Sequence, residues 1–201
     1  MRIGIDFDNT IVCYDELFHR IALEQGLIPV DIPKTKSSVR DYLRQINREE
    51  DWTQLQGYVY GSRMDEAPAF PGVFDFFSLC RASNVELYII SHKTKRPFQG
   101  PLYDLHEVGY RWLEQQGLLA ADGSGIARGA VYFELTKQEK LQRIKTSGCE
   151  YFIDDLPEFL AEPQFPPAVE RILFDPGNLY TGEQKLRRAA SWADINRLLF
   201  D

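Results

Sequence analysis

Apolar positions along this chain fall into short runs that stop abruptly at polar clusters, with stretches of helical period between them. The run that begins at Arg2-Ile3-Gly4-Ile5 breaks into Asp6-Phe7-Asp8-Asn9-Thr10. Tyr14, Leu17, Phe18, Ile21 and Ala22 then recur at helical spacing until Gly26 and Pro29 stop them. Val73, Phe74, Phe76, Phe77 and Cys80 predict another helix after the rigid return Ala67-Pro68-Ala69-Phe70-Pro71-Gly72. Residues 85–90 are almost unbroken apolar, as in a strand covered on both faces of a parallel sheet, and end in Ser91-His92-Lys93-Thr94. A helix over 102–116, a glycine-rich turn at 122–125 and a strand at 130–133 follow. Thr136 is placed to cap a helix over 137–146, with Leu141 and Ile144 facing inward. A strand at 150–153 runs into Asp154-Asp155, a fifth covers 171–174, and Ser191 caps a last helix through Leu199.

Strands alternating with helices predict an α/β fold with a mostly parallel, five-stranded sheet and right-handed crossovers. One segment departs from the alternation. Residues 30–68 are polar and charged, with Trp52, Tyr58 and Tyr60 scattered among them and a single modest stripe of Val39, Tyr42, Leu43 and Ile46. The expectation is a core formed by 1–13 and 69–201, with 14–68 inserted as a small, mainly helical cap. The arginines at 40, 44 and 48 share one helical face, which is read first as a solvated stripe.

Bulk properties narrow the partners. At 201 residues the chain suffices for one good-sized domain, and a formal net charge of −7 argues against nucleic-acid polymers, which need a basic footprint. No apolar run is long enough to cross a bilayer and no signal peptide is evident, so neither membrane insertion nor secretion is expected. Three widely spaced cysteines, Cys13, Cys80 and Cys149, suit small core residues in a reducing cytoplasm. Oligomeric state is not legible.

In open α/β sheets ligands gather at the carboxyl ends of the strands. Those ends supply Asp6, Asp8 and Thr10, then Ser91 and Thr94, then Thr136 and Lys137, then Asp154 and Asp155. Carboxylates at this density suit a hard divalent cation, Mg²⁺ by default, and a hydroxyl with an ammonium opposite suits phosphoryl oxygens.

These same residues carry a resemblance. Asp6-Phe7-Asp8-Asn9-Thr10, Ser91 after a hydrophobic strand, a lysine opening the next helix, and Phe152-Ile153-Asp154-Asp155 resemble, in order, the four motifs of the haloacid-dehalogenase-like (HAD) phosphohydrolases. The likeness spans nearly the whole chain, and the segment before Ser91 sits where that superfamily places a first-type cap. Ile172 to Asn178 adds a fainter similarity to its 5′(3′)-deoxyribonucleotidase-like branch.

The resemblance implies a Rossmann-like core and Mg²⁺-dependent hydrolysis of a small phosphate monoester through an aspartyl-phosphate. Asp6 would be the nucleophile and Asp8 the acid and base. Asp6, Asp8 through its carbonyl, and Asp155 would hold the metal, with Asp154 orienting the lysine. Ser91, Lys137, Thr10 and Asn9 would bind phosphate, Lys137 being preferred to Lys140. Two other readings stand beside this one, a phosphoacceptor signalling domain and a HAD-like binding or regulatory protein without turnover.

Overall fold

Six parallel strands form the sheet at the centre of the protein, in the order β3-β2-β1-β4-β5-β6. They are β1 (Arg2–Ile5), β2 (Glu86–His92), β3 (Val131–Glu134), β4 (Tyr151–Asp154), β5 (Glu170–Phe174) and β6 (Arg187–Ala189). The computed structural model describes residues 1–119, 125–180 and 186–201, and the expected turn at 122–125 lies outside these except for Gly125. Five of the strands match expectation. The sixth, β6, is three residues long and carries two arginines, too short to show an alternating pattern.

Neighbouring positions on each strand serve opposite faces. Ile3, Ile5, Ile89, Ile153 and Ile172 belong to one hydrophobic cluster, and Ile90, Phe152 and Leu173 to a second. The first cluster is closed by α4 (Val73–Ala82), α5 (Leu105–Gln115) and α8 (Trp192–Phe200), and the second by α6 (Lys137–Thr146) and α7 (Pro157–Leu160). Covering both faces is what near-continuous apolar strands require. Thr136 and Ser191 cap α6 and α8, their hydroxyls accepting from the Glu139 and Asp194 amides.

Between β1 and β2 the chain forms α1 (Asp15–Glu24), α2 (Lys36–Gln45), α3 (Glu49–Ser62) and then α4. The passage out of the sheet and back is narrow. The Cys13 amide donates to the Pro68 carbonyl at 2.8 Å and the Phe70 amide to the Ile11 carbonyl at 2.9 Å. Val12 pairs antiparallel with Ala69 between them. Trp52 packs on Phe18 at 5.1 Å between ring centroids, and both belong to the same continuous hydrophobic cluster as Ile3 and Ile5 of the sheet. The arginine stripe on and after α2 is an ion-paired surface, with Arg44 on Glu49 and Arg48 on Asp51.

A second attachment lies at Gly57 and Gly61 of α3. A Cβ at Gly61 would stand 2.0 Å from the Tyr103 ring, and one at Gly57 would stand 2.6 Å from the Gln99 carbonyl oxygen. Glycine one turn apart thus lets α3 lie directly on the loop that follows β2. Gly61→Ala is expected to destabilise the protein by about 1–3 kcal/mol, the usual cost of overpacking, despite alanine's better helix propensity. Chemical denaturation measures it, and a neutral or stabilising result would refute the close approach.

Candidate active site

The strand order reverses direction at β1, whose neighbours are β2 on one side and β4 on the other, so a crevice opens at the carboxyl ends of these strands. The register sets what lines it. Ile5 stands opposite Ile89 and Ile153, which brings Asp6, Ser91 and Asp154 to the same rim. The Asp6 amide donates to the Ile153 carbonyl at 2.9 Å and fixes the point where the chain leaves the sheet. It then turns tightly, with Ile11 and Val12 amides both donating to the Phe7 carbonyl at 3.1 Å. Asn9 takes the left-handed conformation this turn needs, with φ of 61°. Asp6 and Asp8 therefore sit at the mouth, while Phe7 is buried between Trp112 and Phe133.

Asp6, Asp154 and Asp155 each offer a carboxylate oxygen within 4.8 Å of the others. One ammonium faces them. Lys140 donates to Asp6 Oδ1 and to Asp154 Oδ2, both at 2.6 Å, from a side chain that is only 3% exposed. The rings of Phe152 and Phe159 lie 5.3 and 4.2 Å from its nitrogen. Burial works against its charge, but Asp154 and Asp6 more than offset that and raise its pKa.

Lys137, the residue favoured from sequence, is displaced from this role. It is exposed, and its nearest carboxylate is Glu162 at 4.0 Å. Both lysines lie in the first turn of α6, yet only the side chain at 140 lies along the face that packs against the sheet. Capping by Thr136 leaves position 137 at the solvent edge.

Lys140 is the one ammonium ion-paired to the triad among the described residues, and even with the more distant charge of Lys36 it does not balance three carboxylates. Burial, and then the charges of Asp154 and Asp6, push the Asp155 carboxyl well above its ordinary range. Burial likewise pushes Asp154 up to about 6, with Lys140 opposing it. Oxygen donors this close and short of positive charge fit a hard divalent cation. Thr10 stays beside them, its hydroxyl donating to Asp155 Oδ1 at 3.4 Å, while the Leu156 amide anchors Asp154 Oδ1 at 2.9 Å. Ser91 is buried at the end of β2, 1% exposed.

The side chain of Asp8 does not join the triad. Lys93 donates to its two oxygens at 2.9 and 2.8 Å, and the Tyr14 hydroxyl donates to Oδ1 at 2.7 Å. Burial would raise the Asp8 pKa, but Lys93, Tyr14 and Lys36 together outweigh it and hold the carboxyl below its usual range. The Lys93 carbonyl is in turn bonded by His106 Nε2 at 2.7 Å. Lys93 and Tyr14 carry no role in the sequence reading. The parity of strand positions was a usable signal for the lysine, since 91 and 93 face the same way. His92 turns outward to the Leu135 carbonyl at 3.1 Å.

Solved structures share this fold over nearly their whole length. A haloacid dehalogenase-like family hydrolase from Streptococcus pneumoniae superposes with a TM-score of 0.61 at 16% identity, over 98% of this chain and 97% of that one. A HAD family hydrolase from Deinococcus radiodurans, solved with bound phosphate and sodium, gives 0.60 at 13% identity, over 98% and 94%. A HAD hydrolase from Bacillus subtilis bound to magnesium gives 0.59 at 14%, over 100% and 98%. The fold is that of the HAD hydrolases. By sequence the chain matches no family model and no curated protein. The HAD fold therefore emerges from backbone geometry, at identities too low for general sequence similarity to carry function with it.

Proposed function

We propose that this protein is a HAD hydrolase that cleaves small phosphate monoesters through an aspartyl-phosphate at Asp6. The observation that carries the reading is the strand-end constellation itself. Asp6 shares Lys140 with Asp154 at 2.6 Å, inside a carboxylate triad that fits a divalent cation, with Asp8 held separately two residues on.

Asp6 attacks phosphorus, the ester P–O bond breaks, and the leaving alcohol takes a proton from Asp8. Water then attacks the aspartyl-phosphate, Asp8 accepts its proton, and inorganic phosphate leaves. The proton taken from water replaces the one given to the alcohol, so each turnover returns Asp8 to its starting state. Lys93 and Tyr14 fix that carboxyl at the mouth and favour its proton-accepting form, which serves the water-activating step and opposes the proton-donating one. Lys140 and Ser91 take the phosphoryl oxygens, the ammonium holding their charge in a site largely closed to water. Asp6 and Asp155, with the Asp8 carbonyl, would hold Mg²⁺, and Asp154 would aim Lys140. When bound, the ion supplies Lewis-acid stabilisation of phosphoryl charge. The helical unit of 14–68 would act as the cap over this site.

The signalling alternative is disfavoured by topology. A receiver-type sheet has the order 2-1-3-4-5, whereas here the first strand lies between the second and the fourth. True dehalogenation is disfavoured by Asp8, since that reaction needs no acid there. A panel of aryl, sugar and nucleoside monophosphates, run with Mg²⁺, Mn²⁺ or Co²⁺, tests the proposal. Turnover that a chelator abolishes and Mg²⁺ restores is the expected result. Silence across the panel with every metal would instead favour a binding protein that has lost turnover.

A further inference from the structure

A second lysine approaches the site from the helical unit. Thr35 caps α2, its hydroxyl accepting from the Ser38 amide at 3.1 Å, and the Lys36 amide donates to Asp15 Oδ1 at 2.9 Å. The backbone of Lys36 is therefore pinned at the junction of α1 and α2. Its half-buried side chain runs over three rings, with Nζ 5.5 Å from the Tyr60 centroid, 5.7 Å from Phe18 and 6.0 Å from Tyr14. These rings support one another edge to face, Tyr14 on Tyr60 at 5.0 Å and Phe18 on Tyr60 at 5.5 Å.

The same cluster holds Lys93, 5.0 Å from the Tyr60 centroid. The two ammoniums are used differently. Lys93 is committed to both oxygens of Asp8, whereas no carboxylate among the described residues lies within 4.0 Å of Lys36 Nζ. Burial acts to lower its pKa, but Tyr60, Asp155 and Asp8 more than compensate, so Lys36 remains charged. The Tyr60 hydroxyl also supports the ammonium as a hydrogen-bond partner, and the aromatic faces leave its other N–H groups available to an acceptor. The attachment of Tyr14 to Asp8 places this wall beside the reacting end of the site.

We infer that Lys36 receives a second oxyanion on the substrate, so that the preferred esters carry a carboxylate or a further phosphoryl group on the alcohol portion. This rests on the phosphatase reading of the crevice, in which Lys140 already serves the phosphoryl group that is transferred. Tyr60, the half-buried ring of the three, is the one that can meet a short, partly apolar spacer, with Tyr14 and Phe18 buried behind it.

Three propane-1,3-diol derivatives separate the possibilities: the monophosphate, its analogue ending in a carboxylate, and the bisphosphate. Binding of each is measured by calorimetry with Mg²⁺ in an Asp6→Asn background. The carboxylate or bisphosphate ester is expected to bind about tenfold tighter than the monophosphate, as one charge-assisted contact allows. Lys36→Met, which keeps the stem against the rings, should bring that ratio to near one, and Lys36→Arg should restore most of it. Whichever charged ester shows the preference identifies the oxyanion. A ratio near one before Lys36 is changed, a ratio that survives the methionine, or no binding of any ester overturns the inference. Turnover of the same esters by the wild-type protein tests the phosphatase reading separately, because the binding ratio needs no chemistry at Asp6.

Discussion

Asp6→Asn is expected to lower turnover of any accepted phosphate ester by about 10⁴-fold or more while leaving the protein folded. The amide keeps the shape of the carboxyl and an oxygen that can accept from Lys140, so the strand end and its 2.9 Å bond to Ile153 stay in place. What it removes is the proposed nucleophile and one negative charge of the triad. Steady-state kinetics on the best ester of the panel, beside a thermal melt, measure both consequences. Turnover within tenfold of wild type would disprove the assignment. Asp8→Asn should lose turnover as well but differ in metal binding. The Asp8 side chain is occupied by Lys93 and Tyr14 and stands outside the triad, so its loss should spare Mg²⁺ affinity more than the loss of Asp6 does. Equal losses would contradict that division.

Lys140→Met is the second large effect, and it falls on stability as well as rate. The lysine is the cation closest to two buried carboxylates, and removing one partner of a buried ionic group costs about 3–5 kcal/mol. Loss of a donor to the transition-state charge should also cost about 10²–10³ in kcat. The destabilisation has a sign with pH. Asp154 already stands at about 6, above its unfolded value, because burial outweighs Lys140. Without Lys140 it rises further, so folding tolerates its proton-bound form and loses stability as pH climbs through that raised value. Urea denaturation of Lys140→Met should therefore show a larger deficit at pH 8 than at pH 5, and Mg²⁺ should recover part of it by binding the folded state. Lys137→Ala, at an exposed position, should stay within about 0.5 kcal/mol of wild type. A larger stability loss at 137 than at 140 would reverse the assignment.

The contrast between these lysines marks where sequence reasoning stops. Apolar runs that end in acids, and Thr136 and Ser191 ahead of helical stripes, are local signals, and they located five strands and two caps correctly. The choice between positions 137 and 140 depends on how α6 is rotated against the sheet, which local sequence leaves open when both residues sit in one turn. The same holds for Asp8. Its partner Lys93 lies 85 residues away, and only the pairing of β1 with β2 brings them together. β6 escaped notice because a strand of three residues, two of them arginine, has no periodicity to read. Lys36 looked like one more charge in a polar segment, and three rings, Tyr14 just before α1, Phe18 within it and Tyr60 of α3, give it a distinct setting.

The central position of β1 also governs how the protein assembles during synthesis. Arg2 meets Glu86 across 84 residues on one side and Glu150 across 148 residues on the other. Ribosomes add about 5–20 residues per second, so β1 waits roughly 4–17 s for β2 and 7–30 s for β4. Until β2 emerges, Ile3, Ile5 and Phe7 have no strand to pair beside. Asp6 and Asp8 directly after that apolar run are charges of the kind that act as gatekeepers, keeping a nascent apolar strand from pairing with another chain.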